Sequence, residues 1–83
     1  MASVIVLSAA WCEPCKALKE RLRKAGVSFR VVDIDTPDGK RLGNKLGVRS
    51  IPAVFIRTGD DYVRVANPGV QTIRAALTRH GDD

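Results

Sequence analysis

The stretch "SAAWCEPCK", residues 8–16, decides how the rest of the chain is read. It holds both cysteines of the chain, Cys12 and Cys15, two residues apart, with Pro14 between them and Trp11 in front. Upstream, residues 3–7 read "SVIVL", a run rich in β-branched residues with the pattern of a strand buried on both faces. Downstream, Leu18, Leu22 and Ala25 recur at helical spacing. Gly26 stops that helix, and Val27 is placed for the hydrophobic contact that accompanies such a stop. The cysteines therefore lie at a strand-to-helix junction. With Cys12 as N-cap, Glu13, Pro14 and Cys15 open the helix, and Pro14 falls in the first turn, where a missing N–H costs little. The Cys12 sulfur is then placed to accept the otherwise unpaired N–H of Cys15 and to feel the positive end of the helix dipole. Both effects favour thiolate over thiol, and an accessible thiolate of lowered pKa is the species that attacks disulfides. Cys15, one turn further on and more buried, is placed to attack the mixed disulfide that Cys12 forms.

A metal site is the chief rival reading. Structural zinc wants about four N or S ligands, and the chain offers two cysteines and His80. A complete site needs a second molecule, so the alternative function is a dimeric module holding a metal or an iron–sulfur cluster through the cysteine pair. Inert packing suits an exposed strand-to-helix loop poorly. A lone CxxC in a βαβ setting speaks for redox chemistry, and that reading prevails.

The surrounding chain agrees. Eighty-three residues make one domain spanning 1–83. The hydrophobic share of 45% is that of a globular protein, and no apolar run approaches the ~20 residues of a membrane span. The opening "MASVIVLSAAWC" has no basic segment before its apolar run, so it reads as a buried strand rather than a leader, and a cytoplasmic protein is expected. In that compartment a close cysteine pair is catalytic or metal-binding more often than a structural staple. The net charge of +5 comes from scattered positions, among them Lys16, Lys19, Arg21, Lys40, Arg41 and Arg74. These fall on the polar sides of helices, which makes a solvated surface rather than a nucleic-acid site. Such a surface also suits an acidic protein partner.

Working towards the C-terminus, "SFRVVDI" (28–34) reads as a second strand and "DTPDGKRLGNKLGV" as a second helix. Thr36 caps that helix, Pro37 takes its first position, Leu42 and Leu46 face inward, and Gly47 ends it. Gly39 and Gly43 each cost up to ~1 kcal/mol relative to alanine, so this helix is expected to be short or frayed. Asp33 and Asp35, beside the helix start, read as capping carboxylates. "PAVFI" (52–56) and "DYVRVA" (61–66) flank the turn residues "RTGD", the mark of an antiparallel hairpin. Val70, Ile73 and Leu77 define a third helix to about Arg79, with His80 and residues 81–83 as frayed surface. The order β-α-β-α-β-β-α predicts an α/β fold in which a four-stranded mixed sheet is flanked by helices, its first two strands parallel through a right-handed crossover.

These residues resemble a known family. "WCEPCK" is similar to the active-site motif of thioredoxins, with Glu13 where thioredoxins usually carry glycine. "VDIDTPDGKRLGNKLGVRSIPAVFI" (32–56) is similar to the thioredoxin segment leading into the cis-proline strand. The short β-α-β-α-β-β-α order is that of glutaredoxins, and "VANPGVQTIRAAL" (65–77) resembles the tails of mycoredoxins, the small actinobacterial glutaredoxin-like proteins. The resemblance implies a thioredoxin-like fold and a dithiol–disulfide oxidoreductase that reduces protein or mixed disulfides. Cys12 and Cys15 are its catalytic pair, and Trp11, Pro14, Ile51 and Pro52 line the substrate groove, with a cis Ile51–Pro52 bond. Glu13 and Lys16 modulate the thiol. It implies a monomer with no bound cofactor, reduced by a thioredoxin-reductase-type enzyme or by a low-molecular-weight thiol such as glutathione or mycothiol. Disulfide-containing proteins, ribonucleotide reductase among them, are the implied substrates, with no nucleic-acid or membrane partner. Two positions depart from the family. Val6 stands where thioredoxins carry a buried aspartate, and Val70-Gln71-Thr72 stands where glutaredoxins commonly place an acidic residue for the glutathione amino group.

Overall fold

The first strand, β1 (Ala2–Ser8), runs through the middle of the sheet, and Val4, Ile5, Val6 and Leu7 are all buried, as a strand covered on both faces requires. The computed structural model describes residues 2–80. Along the chain follow α1 (Glu13–Lys24), β2 (Arg30–Asp33), α2 (Pro37–Lys45), β3 (Ala53–Thr58), β4 (Asp61–Arg64) and α3 (Val70–His80). The sheet order is β2-β1-β3-β4, with β1 parallel to β2, antiparallel to β3, and β3 antiparallel to β4. This is the expected mixed sheet. The parallel pair is joined through α1, and the hairpin extends the other side.

Alternation along β1 divides the core into two layers. Val4 and Val6 pack with Leu18 and Leu22 of α1, Val54 and Ile56 of β3, and Ile73 and Ala76 of α3. Ile5 and Leu7 face the other way, with Phe55, and are covered by Leu42, Leu46 and Val48. Leu22, completely buried, anchors α1; truncating such a leucine to alanine typically costs ~2–5 kcal/mol. At the end of α1, Gly26 adopts φ 73° and the Val27 N–H reaches the Leu22 carbonyl at 2.9 Å, which closes the helix as its sequence predicts.

Several boundaries differ from the sequence reading. The second strand spans Arg30–Asp33 rather than 28–34, because it pairs with β1 only from Ile5↔Arg30 to Ser8↔Asp33. Ile34 still donates its N–H to the Ser8 carbonyl at 2.9 Å. The third strand starts one residue later than expected and runs to Thr58, where Gly59 (φ 61°) and Asp60 turn the chain into β4. The fourth strand ends at Arg64, although Val65 N–H still bonds the Val54 carbonyl at 2.9 Å. His80 is the last residue of α3 rather than frayed chain, and residues 81–83, expected to be frayed, lie outside the described residues.

The second helix is short, nine residues, as expected, but its buried positions are the two glycines, while Leu42 and Leu46 are only half-buried. A Cβ on Gly39 would overlap the backbone carbonyl of Asp33, so the helix start lies directly against the end of β2. The residue that weakens the helix on propensity is thus the one that lets it dock.

Candidate active site

Cys12 and Cys15 sit at the carboxyl end of β1, the end of a parallel strand pair at which α/β folds assemble their sites. They form a disulfide with Cα atoms 5.3 Å apart. Cys12 is the N-cap of α1, with extended backbone (φ −91°, ψ 104°), and its Sγ accepts the Cys15 N–H at 3.2 Å. Pro14 occupies the first turn and is exposed. The cap, the proline and the order of burial all stand where the spacing placed them. Cys12 is less open than a strand-to-helix loop suggested. It is 4% exposed against 0% for Cys15, because both pack with Ala9, Ile34 and Ile51.

Glu13 lies beside Cys12, and its charge is not free to act alone. Lys16 pairs with it at 2.9 Å across one helical turn, both side chains largely in solvent. The two neighbours expected to modulate the thiol are therefore paired with each other, with opposite charges that partly offset at the sulfur.

Trp11 is 65% exposed, the most exposed large apolar side chain among the described residues. It is nevertheless held, because its Nε1–H donates to Asp35 Oδ2 at 3.0 Å. This corrects the reading of Asp35 as a cap. The cap of α2 is Thr36, whose Oγ1 accepts the Gly39 N–H at 3.0 Å and donates to the Asp33 carbonyl at 2.7 Å. Asp33 Oδ1 accepts the Asp35 N–H at 2.8 Å, which shapes the bend and turns the second carboxylate towards the indole. Asp35 is thus a site residue that sequence reasoning missed. The available signal was a carboxylate at the end of the strand paired with β1, level with the cysteines.

Trp11 and Asp35 open a groove of about 540 Å³ that is also lined by Ile34, Lys40, Arg49 and Ile51. Ile51 and Pro52, joined by a cis peptide bond, are half-buried at the entrance to β3, and Ile51 touches the cysteine cluster. The structure thus brings Trp11, Cys12, Cys15 and Ile51 together, with Pro52 adjoining. Pro14, Glu13 and Lys16 lie on the outward side of the helix start. Val6 is fully buried in apolar surroundings, so no carboxylate stands at that point. The first turn of α3 contains no acidic residue. Among the described residues, no group of three or more His, Cys, Asp or Glu side chains is placed to hold a metal ion, and no helix is long and apolar enough to cross a membrane.

Comparison with known proteins bears on this arrangement. The family profile of glutaredoxin matches residues 4–63. The chain is 30% identical over 80 residues to N-acetyl-S-hydroxy-L-cysteine reductase of Bacillus subtilis (strain 168), a match that covers 94% of this chain and 86% of that protein. It is 39% identical over 59 residues to a glutaredoxin of Vernicia fordii, covering 65% of this chain and 57% of the relative. Among solved structures, thioredoxin f from spinach chloroplast (long form) superposes with a TM-score of 0.80 at 24% identity, over 98% of this chain and 71% of that one. This last likeness is one of fold.

Proposed function

The chain belongs to the glutaredoxin family, and from that premise we propose that Cys12 is its attacking thiol and Cys15 its resolving one. The protein is a thiol–disulfide oxidoreductase, and its disulfide substrates and reductants are of the kinds that family uses. The observation that carries the assignment is the position of Cys12 Sγ as the cap of α1, with Cys15 buried behind it and within bonding reach. The Cys12 thiolate attacks one sulfur of the substrate disulfide and releases the other as a thiolate. Cys15 then gives up its proton and attacks Cys12 Sγ, and the substrate's second sulfur leaves with the electron pair. The substrate gains two electrons and two protons, and the Cys12–Cys15 disulfide remains. Trp11, braced by Asp35, forms a wall of the entry groove, and the Ile51 backbone pairs with the incoming chain or thiol.

The same proposal extends to the reductant. In the sheet, β4 is antiparallel to β3 and β3 to β1, so α3 starts at the end where β1 finishes. It opens with Val70, Gln71 and Thr72, and its first turn carries no carboxylate to pair with an ammonium group. An N-acylated cysteine thiol has no ammonium group to satisfy, and the Bacillus subtilis relative is named for an N-acetylated cysteine derivative. These two points favour mycothiol over glutathione as the low-molecular-weight donor. A reductase of the thioredoxin-reductase type is the other donor, and ribonucleotide reductase and other cytoplasmic disulfide proteins are the proposed macromolecular substrates of a monomeric enzyme.

Trapping tests the division of labour. Offered a substrate disulfide, Cys15→Ser should accumulate a mixed disulfide detectable by intact mass, and Cys12→Ser none; equal trapping by both would overturn the assignment. Assays coupled to thioredoxin reductase, glutathione and mycothiol, run side by side, test the donor. Faster turnover with glutathione than with mycothiol would overturn that part.

A further inference from the structure

Ser8 is 1% exposed and is the one buried polar residue among those described. Its Oγ has no hydrogen-bond partner among the described residues. A buried hydroxyl without a partner is unfavourable and rare enough to need a reason.

The register of the fold supplies one. Val4, Val6 and Ser8 alternate onto the same face of β1, and the first two pack against Leu22 and Leu18 of α1. Because α1 starts at the top of β1 and runs back down that face, its inward residues ascend in the order Leu22, Leu18, Cys15. Two strand residues rise about 6.6 Å and three or four helical residues about 4.5–6 Å, so the two rows stay level. The uppermost pair is Ser8 and Cys15. Ala9, the next residue, packs against both cysteines, and the β1–β3 register that pairs Leu7 with Ala53 carries Pro52 alongside Ser8. No other polar side chain stands on this row. Val6, one pleat below Ser8, is apolar and packed in the core.

We propose that Ser8 Oγ–H is the hydrogen-bond donor to Cys15 Sγ when the disulfide is open, and that it stabilises the Cys15 thiolate as the resolving step forms it. This rests on the reading of Cys15 as the resolving thiol. In that step the Cys15 S–H bond breaks and its electron pair makes the new bond to Cys12 Sγ. The bond between Cys12 Sγ and the substrate sulfur breaks, and the substrate sulfur keeps those electrons and takes up a proton through solvent. Ser8 ends with the proton it began with. Once Cys15 is in the disulfide its sulfur is uncharged and a far weaker acceptor than a thiolate, and in this structure the hydroxyl makes no hydrogen bond to it. Ser8 thus favours the reduced protein over the oxidised one.

The test uses the full chain as wild type, Ser8→Ala, Ser8→Thr and Cys15→Ser. Each reduced protein is mixed with one equivalent of 5,5′-dithiobis(2-nitrobenzoate), and release of coloured thiolate is followed against pH. The first release reports attack by Cys12 and the second reports resolution by Cys15. Ser8→Ala is expected to leave the first phase unchanged, slow the second about tenfold and move its pH profile upward. Ser8→Thr, which keeps a hydroxyl, is expected to restore both. Equilibration with dithiothreitol is expected to favour oxidised Ser8→Ala several-fold more than wild type. Its oxidised form should melt no lower than that of wild type, because a polar group without a partner has been removed. A second phase unchanged in rate and pH profile overturns the proposal, as does equal destabilisation of both redox forms, which would make Ser8 a packing residue. If Cys15→Ser shows the same second phase as wild type, the resolving role itself fails, an outcome distinct from a silent Ser8→Ala.

Discussion

The starts of α1 and α2 are built alike and used differently. Each has an extended cap residue, Cys12 (φ −91°, ψ 104°) or Thr36 (φ −86°, ψ 155°), whose side chain accepts the N–H three residues on. Each has a proline in the first turn, Pro14 or Pro37, and an acidic residue there, Glu13 or Asp38. Each acid pairs with a base one turn on, Glu13 with Lys16 and Asp38 with Arg41. Besides the order of proline and acid, the two starts differ in the capping atom and the third residue. At α2 the cap is a hydroxyl and the third residue is Gly39, pressed against the Asp33 carbonyl. At α1 the cap is a sulfur and the third residue is Cys15, whose own sulfur bonds to it. The same unpaired N–H groups and the same dipole thus hold a helix in place at one end of the sheet and favour a reactive anion beside it.

The comparison breaks first at Gly39. Gly39→Ala forces a methyl group into backbone, and we expect a loss of about 2–3 kcal/mol in denaturant unfolding. Gly43→Ala meets only Leu7 Cδ2 at 3.9 Å and should be neutral or gain up to ~1 kcal/mol from helix propensity. Equal effects would mean that α2 does not dock as described. Next comes the cap itself. Thr36→Ala should cost about 1 kcal/mol while the rate of disulfide reduction is unchanged, since this cap serves structure alone. A matching fall in rate would show that the two helix starts are coupled.

Smaller effects sharpen the site. Asp35→Ala releases the indole of Trp11, the single tryptophan, so its fluorescence should report greater mobility and quenching while stability moves by about 0.5 kcal/mol or less. Unaltered anisotropy would show that Asp35 does not hold the wall. Smallest of all is Glu13→Gln. Loss of its charge leaves Lys16 unpaired and should lower the pH at which Cys12 ionises by a fraction of a unit, less at high salt. A shift upward would mean that local contacts of Glu13 outweigh its charge.

Much of this was legible in the chain itself. Cys12 as cap, Pro14 in the first turn and Thr36 as the second cap all follow from local rules of helix termini, and they stand in the structure as read. The cis Ile51–Pro52 bond was implied by resemblance, not by local preference. What sequence reading missed depends on contacts between distant segments. Gly39 reads as a weak helical residue until β2 is laid beside it. Asp35 reads as a cap until Trp11, 24 residues earlier, is placed within reach. Ser8 reads as the first residue past the strand until β1 is seen to include it and α1 folds back to bury its hydroxyl. Strand lengths were misjudged for a similar reason, since pairing partners rather than apolar pattern decide where β2 and β4 stop.

The central claim is that a helix start governs the Cys12 sulfur, and two influences oppose each other there. Burial, at 4% exposure, disfavours the anion, whereas the Cys15 N–H at 3.2 Å and the end of α1 favour it. The rate of alkylation of reduced Cys15→Ser by iodoacetamide, followed against pH, reads their balance on Cys12 alone. The account predicts an inflection below the ~8.5 of an ordinary cysteine, so that the rate at neutral pH is a larger share of its plateau than an ordinary thiol shows. An inflection at or above that value would contradict it.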